Sequence, residues 1–383
     1  MLLGELIENY DSKRIPLSSK QRENIKKVYP YYGAQGVIDY VDDYIFDGEY
    51  MLIAEDGENL RSRKLPIATV TSGQFWVNNH AHIVQSNEKS NLVFLCYWLN
   101  NNDISEYVTG SAQPKLNQAN LNAIPIPDIS KAEQDSIAEV ISTFENKICA
   151  NKDEACILEE TVSAIYKHWF NDFNYPNATG KLDNGIPVGW EQSNVFDNIT
   201  EVKNKNKNSE VYPVLSVVKE GEFKLSDDVF TKQVYSKNTT NYKIVRKNQV
   251  GYNPARANIG SIAMLKDFEV GLVSPIYIVF QMNDTITPTY FYYYMKQPMF
   301  LEMIKHHAIG TTRQNFPFEA FKMFPLVVPP MELQLKFEEI AKPIEQKITL
   351  LKQENEVLAE IRDTLLPKLM SGELPVEVGE KNE

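Results

Sequence analysis

The chain has 383 residues, 43% of them hydrophobic, with 18 Phe and 20 Tyr, which is enough apolar mass for more than one packed core. No run of 18 apolar residues occurs, Met1–Tyr10 carries two Glu and no basic cluster, and the three cysteines sit at no disulfide or metal spacing. These features argue against a membrane span, a secretory signal or a stapled extracellular scaffold, and predict a cytoplasmic protein.

The net charge of −12 is uneven: residues 177–330 carry 17 basic against 14 acidic side chains, while 131–176 carry 4 against 9 and 331–383 carry 7 against 12. A local phosphate-binding face therefore survives the acidic total.

In chain order, residues 1–129 form a first head. Runs rich in β-branched and aromatic residues predict strands at Tyr50–Ala54, Ile67–Thr71 and His82–Gln85, followed by helical stretches at Asn91–Asn100 and Ser105–Val108. Residues 130–176 form a first tail. There Ile137, Phe144, Asn151, Leu158 and Ile165 recur every seven residues, interleaved with Ile141, Ile148, Ala155, Val162 and Trp169. Two interleaved heptad series mark a coiled-coil seam, and Ser130 three residues before Glu133 is a capping-box start.

Pro176, Gly180, Gly185, Pro187 and Gly189 then break the chain. Residues 177–330 form a second head, with strands predicted at Val211–Val218, Ile244–Val250 and Ile276–Gln281 and a helix over Thr289–His307. The second tail, 331–374, repeats the heptads through Phe337, Ile344, Leu351, Leu358 and Leu365, with Gly372 to stop it, and 375–383 reads as a flexible tail.

The halves are copies. At an offset of 200, Gly110-Ser111-Ala112 answers Gly310-Thr311-Thr312, Gln134 answers Gln334 and Phe144–Ile148 answers Ile344–Ile348. Nearer the start of each half the offset drifts, so that His82-Ile83-Val84 answers Tyr277-Ile278-Val279 at 195. The expected fold is α+β: two heads built on twisted β-sheets, joined by two long helices in an antiparallel coiled coil, with an internal pseudo-two-fold repeat. The seams fit when paired numbers sum to 506, which sets Trp169 on Phe337, Ile165 on Ala341 and Asn151 on Asn355.

Catalytic signatures are missing. There is no nucleotide-binding Gly-rich loop, Asn253-Pro254-Ala255-Arg256 keeps only two letters of an adenine-methyltransferase motif, and no Ser-His-Asp order stands out. His80 and His82 lack a third ligand, so no metal is expected. The chain reads as a recognition module and not an enzyme. A coiled-coil scaffold that binds only protein is the alternative.

Several local motifs resemble the Type I restriction-modification specificity subunit family. They are Tyr31–Ile38 with Tyr44–Tyr50, the loops Gly110–Leu116 and Gly310–Phe316, Trp169–Phe173 at the end of the first tail, and Leu365–Glu373 at the end of the second. Ala112 and Arg313 depart from the loop pattern. The resemblance implies two target-recognition domains, each reading one half of a bipartite, asymmetric DNA target, with the helices as a ruler for the spacer. It also implies two modification (methyltransferase) subunits as partners, with restriction subunits joining them. The chain itself then holds no cofactor, and S-adenosylmethionine sits on the modification subunit.

Phosphates call for Lys and Arg, and base edges for Arg, Asn, Gln, Ser or Thr. On that basis the first-head candidates for double-stranded DNA are Arg61, Arg63, Lys64, Gln74, Asn78, Asn79, Gln113 and Lys115. In the second head they are Lys203, Lys205, Lys207, Lys237, Asn241, Arg256, Asn258, Arg313 and Gln314.

Overall fold

The structure is a computed structural model that describes residues 1–229, 238–308, 310 and 315–376. It divides into two compact units, one of Met1–Ala150 with the stretch that starts at Glu354, the other of Asn151–Gln353.

The first unit is centred on a four-stranded antiparallel sheet of β1 (Ile7–Asn9), β2 (Tyr50–Ala54), β3 (Ala68–Thr71) and β4 (Ala81–Ser86), in the order β1-β4-β2-β3. Every residue of β2 is buried. Met51 and Ile53 face one cluster with α1 (Leu92–Asn101), while Tyr50 and Leu52 face another with Phe46 and Phe75. Burial on both faces explains why this strand reads as a continuous apolar run and not as an alternation. Asn91 caps α1, accepting from the Phe94 amide at 3.0 Å. The same core takes in Ile137, Ala138 and Ile141 from the start of α2 (Lys131–Tyr166) and Leu366, Leu369 and Met370 from the end of the other long helix.

The second unit repeats the plan. Its sheet contains β5 (Ile199–Glu201), β6 (Val250–Tyr252), β7 (Ile262–Met264) and β8 (Ile278–Met282) in the order β5-β8-β6-β7. The strand pairing is the same, Met51↔Val84 in one unit and Val250↔Phe280 in the other. The helical stretch expected over Thr289–His307 is two helices, α3 (Pro288–Met295) and α4 (Pro298–His307), because Pro298 lacks the amide that would continue the first. Likewise Ile244–Val250 is not one strand: Lys243–Arg246 pairs with Val270–Val273, and the chain turns at Asn248, with φ +66°, before β6.

The first long helix starts, and the second ends, at the signals read from the sequence. Ser130 and Glu133 close the capping box on α2, with the Glu133 amide donating to Ser130 Oγ at 3.3 Å and the Ser130 amide to Glu133 Oε2 at 3.1 Å. Gly372, at φ +73°, follows α5 (Met331–Met370).

Within each unit the helices run antiparallel. In the first, Arg362 pairs with Glu145 and Lys147 lies 3.6 Å from Glu354. In the second, Lys347 lies 3.6 Å from Glu154, and the Trp169 ring meets Phe337 at 6.1 Å, the partner that the heptad register assigned to it.

The duplication reaches single side chains. Gln134 and Gln334 are both fully buried, and each carbonyl oxygen accepts the amide that begins the helix capping its head, from Asn91 at 2.9 Å and Thr287 at 2.8 Å. Each amide group donates back to the residue five before it, Ile129 or Pro329, at 2.9 Å. Gln134→Leu and Gln334→Leu should each destabilise their own unit by about 1–3 kcal/mol, since the amide that begins the capping helix loses its acceptor. Amide exchange of the two units compared side by side checks this. Equal loss in both units from either change would refute it.

Candidate nucleic-acid interface

In the first head the loop repeated in sequence is a closed turn. Thr109 and Lys115 exchange two backbone hydrogen bonds of 2.8 Å, and Gly110 sits at φ +83° where a Cβ would lie 2.2 Å from the Gln113 carbonyl oxygen. The turn is clamped from outside. Gly57 donates to the Pro114 oxygen at 3.1 Å, Leu116 donates to the Glu55 oxygen at 2.8 Å, and the Arg61 guanidinium donates to the Ser111 oxygen at 2.8 Å and to Gly110. Gln113 and Lys115 are left exposed at its edge, with the Lys115 ammonium 3.2 Å from Glu55.

Beside it lies the turn Asn78–His80. Asn78 is buried and accepts the His80 amide at 2.8 Å, Asn79 is exposed, and the His80 ring meets Asp56 at 2.7 Å. Arg61, Gln113, Lys115, Asn78 and Asn79 thus belong to one end of the sheet.

The remaining first-head candidates sit apart. Arg63, in the left-handed region at φ +50°, turns inward and donates to the carbonyls of Leu99, Asn100 and Asn102 at 2.6, 2.9 and 3.0 Å, closing the end of α1. Burial lowers its pKa, opposed by the nearby Asp103 charge. Gln74 donates to Asp47 at 2.9 Å, and Lys64 is exposed.

In the second head, two segments nominated from sequence are laced together. Asn206 is buried; its amide donates to the Tyr242 carbonyl at 2.9 Å and its side chain to the Glu210 carbonyl at 2.9 Å, while Ile244 donates to the Asn204 carbonyl at 2.9 Å. This fixes an exposed rim of Lys203, Lys205, Lys207 and Asn241, with Lys203 held 2.9 Å from Glu201.

Tyr242 leads on to a cavity of about 490 Å³ whose wall includes Asn253, Arg256, Ile259 and Tyr277. Arg256 is exposed at its mouth, and no hydrogen bond or ion pair of its side chain occurs among the described residues. Asn258 is half-buried next to it. Phe316 donates to the Pro254 oxygen at 2.9 Å, the counterpart of Leu116 on Glu55. Lys237, Arg313 and Gln314 lie outside the described residues.

Sequence reasoning missed two groups. Lys243 adjoins the nominated Tyr242, and its ammonium donates to the Tyr277 carbonyl at 2.5 Å; burial lowers its pKa, which the adjacency in sequence could have flagged. Arg14 donates to Glu55 Oε2 at 2.8 Å and to the Ala81 carbonyl at 2.7 Å, ties that span 41 and 67 residues and leave no local signal. No helix among the described residues is long and apolar enough to cross a membrane.

Residues 1–157 and 191–360, one stretch in each half, match the sequence model of the Type I restriction modification DNA specificity domain. A Haemophilus influenzae protein named as a type I restriction enzyme specificity subunit is 36% identical over 143 residues, 37% of this chain; the match spans 36% of that protein. The MjaIX specificity subunit of Methanocaldococcus jannaschii is 28% identical over 307 residues, covering 74% of this chain and 69% of that one. The solved structure of the Type I restriction-modification S subunit from M. genitalium shares the fold, with a TM-score of 0.56 at 16% identity over 96% of this chain and 95% of that one. With the first head, most of the second and the greater part of each long helix inside the matched stretches, the chain belongs to the Type I restriction modification DNA specificity family.

Proposed function

We propose that this chain reads DNA for a type I restriction-modification enzyme and performs no chemistry itself. Each head reads one half of a bipartite, asymmetric target, and the long helices set the unread spacer between the halves. Two modification subunits, which hold S-adenosylmethionine and methylate adenine, assemble around it in the cytoplasm, and restriction subunits join them.

One observation carries this reading: the same four-stranded sheet is built twice, with Leu116 tied to the Glu55 oxygen in one head and Phe316 to the Pro254 oxygen in the other, yet the exposed polar side chains differ, Gln113 and Lys115 in the first head and the Lys203–Lys207 rim with Arg256 in the second. A shared scaffold bearing unlike readers suits an asymmetric site.

Methylome sequencing of cells with and without the chain tests it. A two-part methylated-adenine motif that vanishes on deletion, and that changes in one half when residues 177–330 are exchanged, is the expected result; an unchanged methylome favours a protein-only scaffold.

Within the second half-site, Arg256→Ala should relax discrimination at one base pair by about 1–3 kcal/mol. Lys207→Ala should instead weaken binding to all sequences evenly and reduce the salt slope by about one. Binding isotherms of the assembled complex at several salt concentrations separate the two. An Arg256→Ala loss that is equal on every sequence would remove that residue from base reading.

A further inference from the structure

One apolar side chain of the second head stands almost wholly in water. Val211 is 99% exposed, whereas the next large apolar side chain among the described residues, Ile157, is 63% exposed. Single apolar residues on a surface are ordinary. This one is held there by structure on both sides.

Asn206, 1% exposed, builds the turn that precedes it. Its side chain donates to the Glu210 carbonyl and accepts the Glu210 amide, both at 2.9 Å, and its backbone carbonyl accepts the Ser209 amide at 3.0 Å. The Asn206 amide donates to the Tyr242 carbonyl at 2.9 Å, which fastens the turn to the head. Downstream, the Pro213 carbonyl accepts the Leu272 amide at 2.8 Å, and Val214 bridges to Leu272. Val211 and Tyr212 therefore span a short gap between two anchors, and the Tyr212 hydroxyl is itself tied to the Glu210 carboxylate.

The local sequence does not demand this exposure. The first head contains the same tripeptide, Val28-Tyr29-Pro30. There the Val28 amide donates to the Val41 carbonyl at 2.9 Å, Tyr29 opens a strand paired with Val41, and Val28 is 42% exposed. In the second head the strand expected from Val211 begins only at Leu215.

The surroundings say what would cover the side chain. Lys203, Lys205 and Lys207 are exposed on the same segment. Lysines draw in phosphates, and the apolar group that a base offers in the major groove is the 5-methyl of thymine. A segment already fixed in shape loses little conformational entropy on docking.

We propose that Val211 is a specificity-determining residue of the second head: it covers the 5-methyl group of one thymine while the lysines of its turn take neighbouring phosphates. This rests on the function proposed above and names a contact within it. Such a contact separates thymine from cytosine without any hydrogen bond, so a search for donors and acceptors passes over it.

The test uses the full chain assembled with its modification subunits, on a duplex carrying both halves of the methylated motif. The half that changes when residues 177–330 are exchanged is the one to alter. It contains an adenine to be methylated and hence at least one thymine. Replacing its thymines one at a time by deoxyuridine removes a methyl group and nothing else. The wild type should lose about fourfold in affinity at one position, the scale of one buried methyl group. Val211→Ser, which removes no packing from the free chain, should bind the thymine duplex about fourfold more weakly and be indifferent to uracil at that position.

A wild type indifferent to uracil throughout this half, or a Val211→Ser complex that keeps the whole uracil response, overturns the proposal. So does a Val211→Ser chain that assembles poorly with the modification subunits before DNA is added, which would assign the residue to a protein contact. A wild-type complex that binds no two-part duplex at all is a different result, and there the function itself falls.

Discussion

Phe337→Ala is expected to cost the second unit about 4 kcal/mol. Phe337 is fully buried on the heptad seam of α5, and its ring meets those of Tyr166, Trp169, Phe170 and Tyr293 at 5.8, 6.1, 5.3 and 5.5 Å. It joins the end of the first long helix, the start of the second and the head's own helix α3 in one cluster, so the cavity left behind has four aromatic walls and little room to collapse. The slowest-exchanging amides of β6 and β8 should lose protection by that amount, with those of β2 and β4 unchanged. A loss below about 1 kcal/mol would show that the aromatic cluster repacks and that its interlock is not the source of rigidity.

If the first head reads a half-site as proposed, Gly110→Ala is expected to weaken binding there by at least about tenfold while leaving the head folded. At φ +83° an alanine is strained, and its Cβ would lie 2.2 Å from the Gln113 oxygen, so the turn must open. Gly73 is the control: at φ +87° it has the same backbone handicap, but nothing lies within 4 Å of its Cβ position. Both substitutions should destabilise the unit by about 1–3 kcal/mol. Only Gly110→Ala should displace Gln113 and Lys115, with a loss of at least about tenfold in affinity of the assembled complex, the scale of one lost base contact. Equal effects from the two glycines would mean that loop shape is irrelevant to DNA.

Much of the architecture was legible because it repeats. Heptads over some forty residues, twice, leave little freedom for the long helices, and the matched Gln134 and Gln334 lie in corresponding buried positions. Tyr50–Ala54 was readable as a strand to the residue, since a short apolar run flanked by turns has few other outcomes. Individual reading residues were far less legible. Arg61 and Arg63 form one basic cluster in sequence, yet both guanidiniums bind carbonyls 36–50 residues away. Residue type advertises hydrogen-bonding capacity, and the tertiary fold decides whether a phosphate or a helix end receives it. His82 shows in sequence only its spacing from His80, because its ring partners Asp11 and Leu116 come from residues 71 and 34 positions away.

The composition of the first unit has a consequence for how the protein is born. Its core is closed by Leu366, Leu369 and Met370, which the ribosome makes only after all of residues 151–353. At ordinary elongation rates that is a wait of roughly 10–40 s, during which Ile137 and Ile141 have no helix to cover them. A message truncated before Leu366 therefore yields a nascent first head with a sticky flank, and chaperones or proteases, more than any loss of DNA contact, would decide its fate.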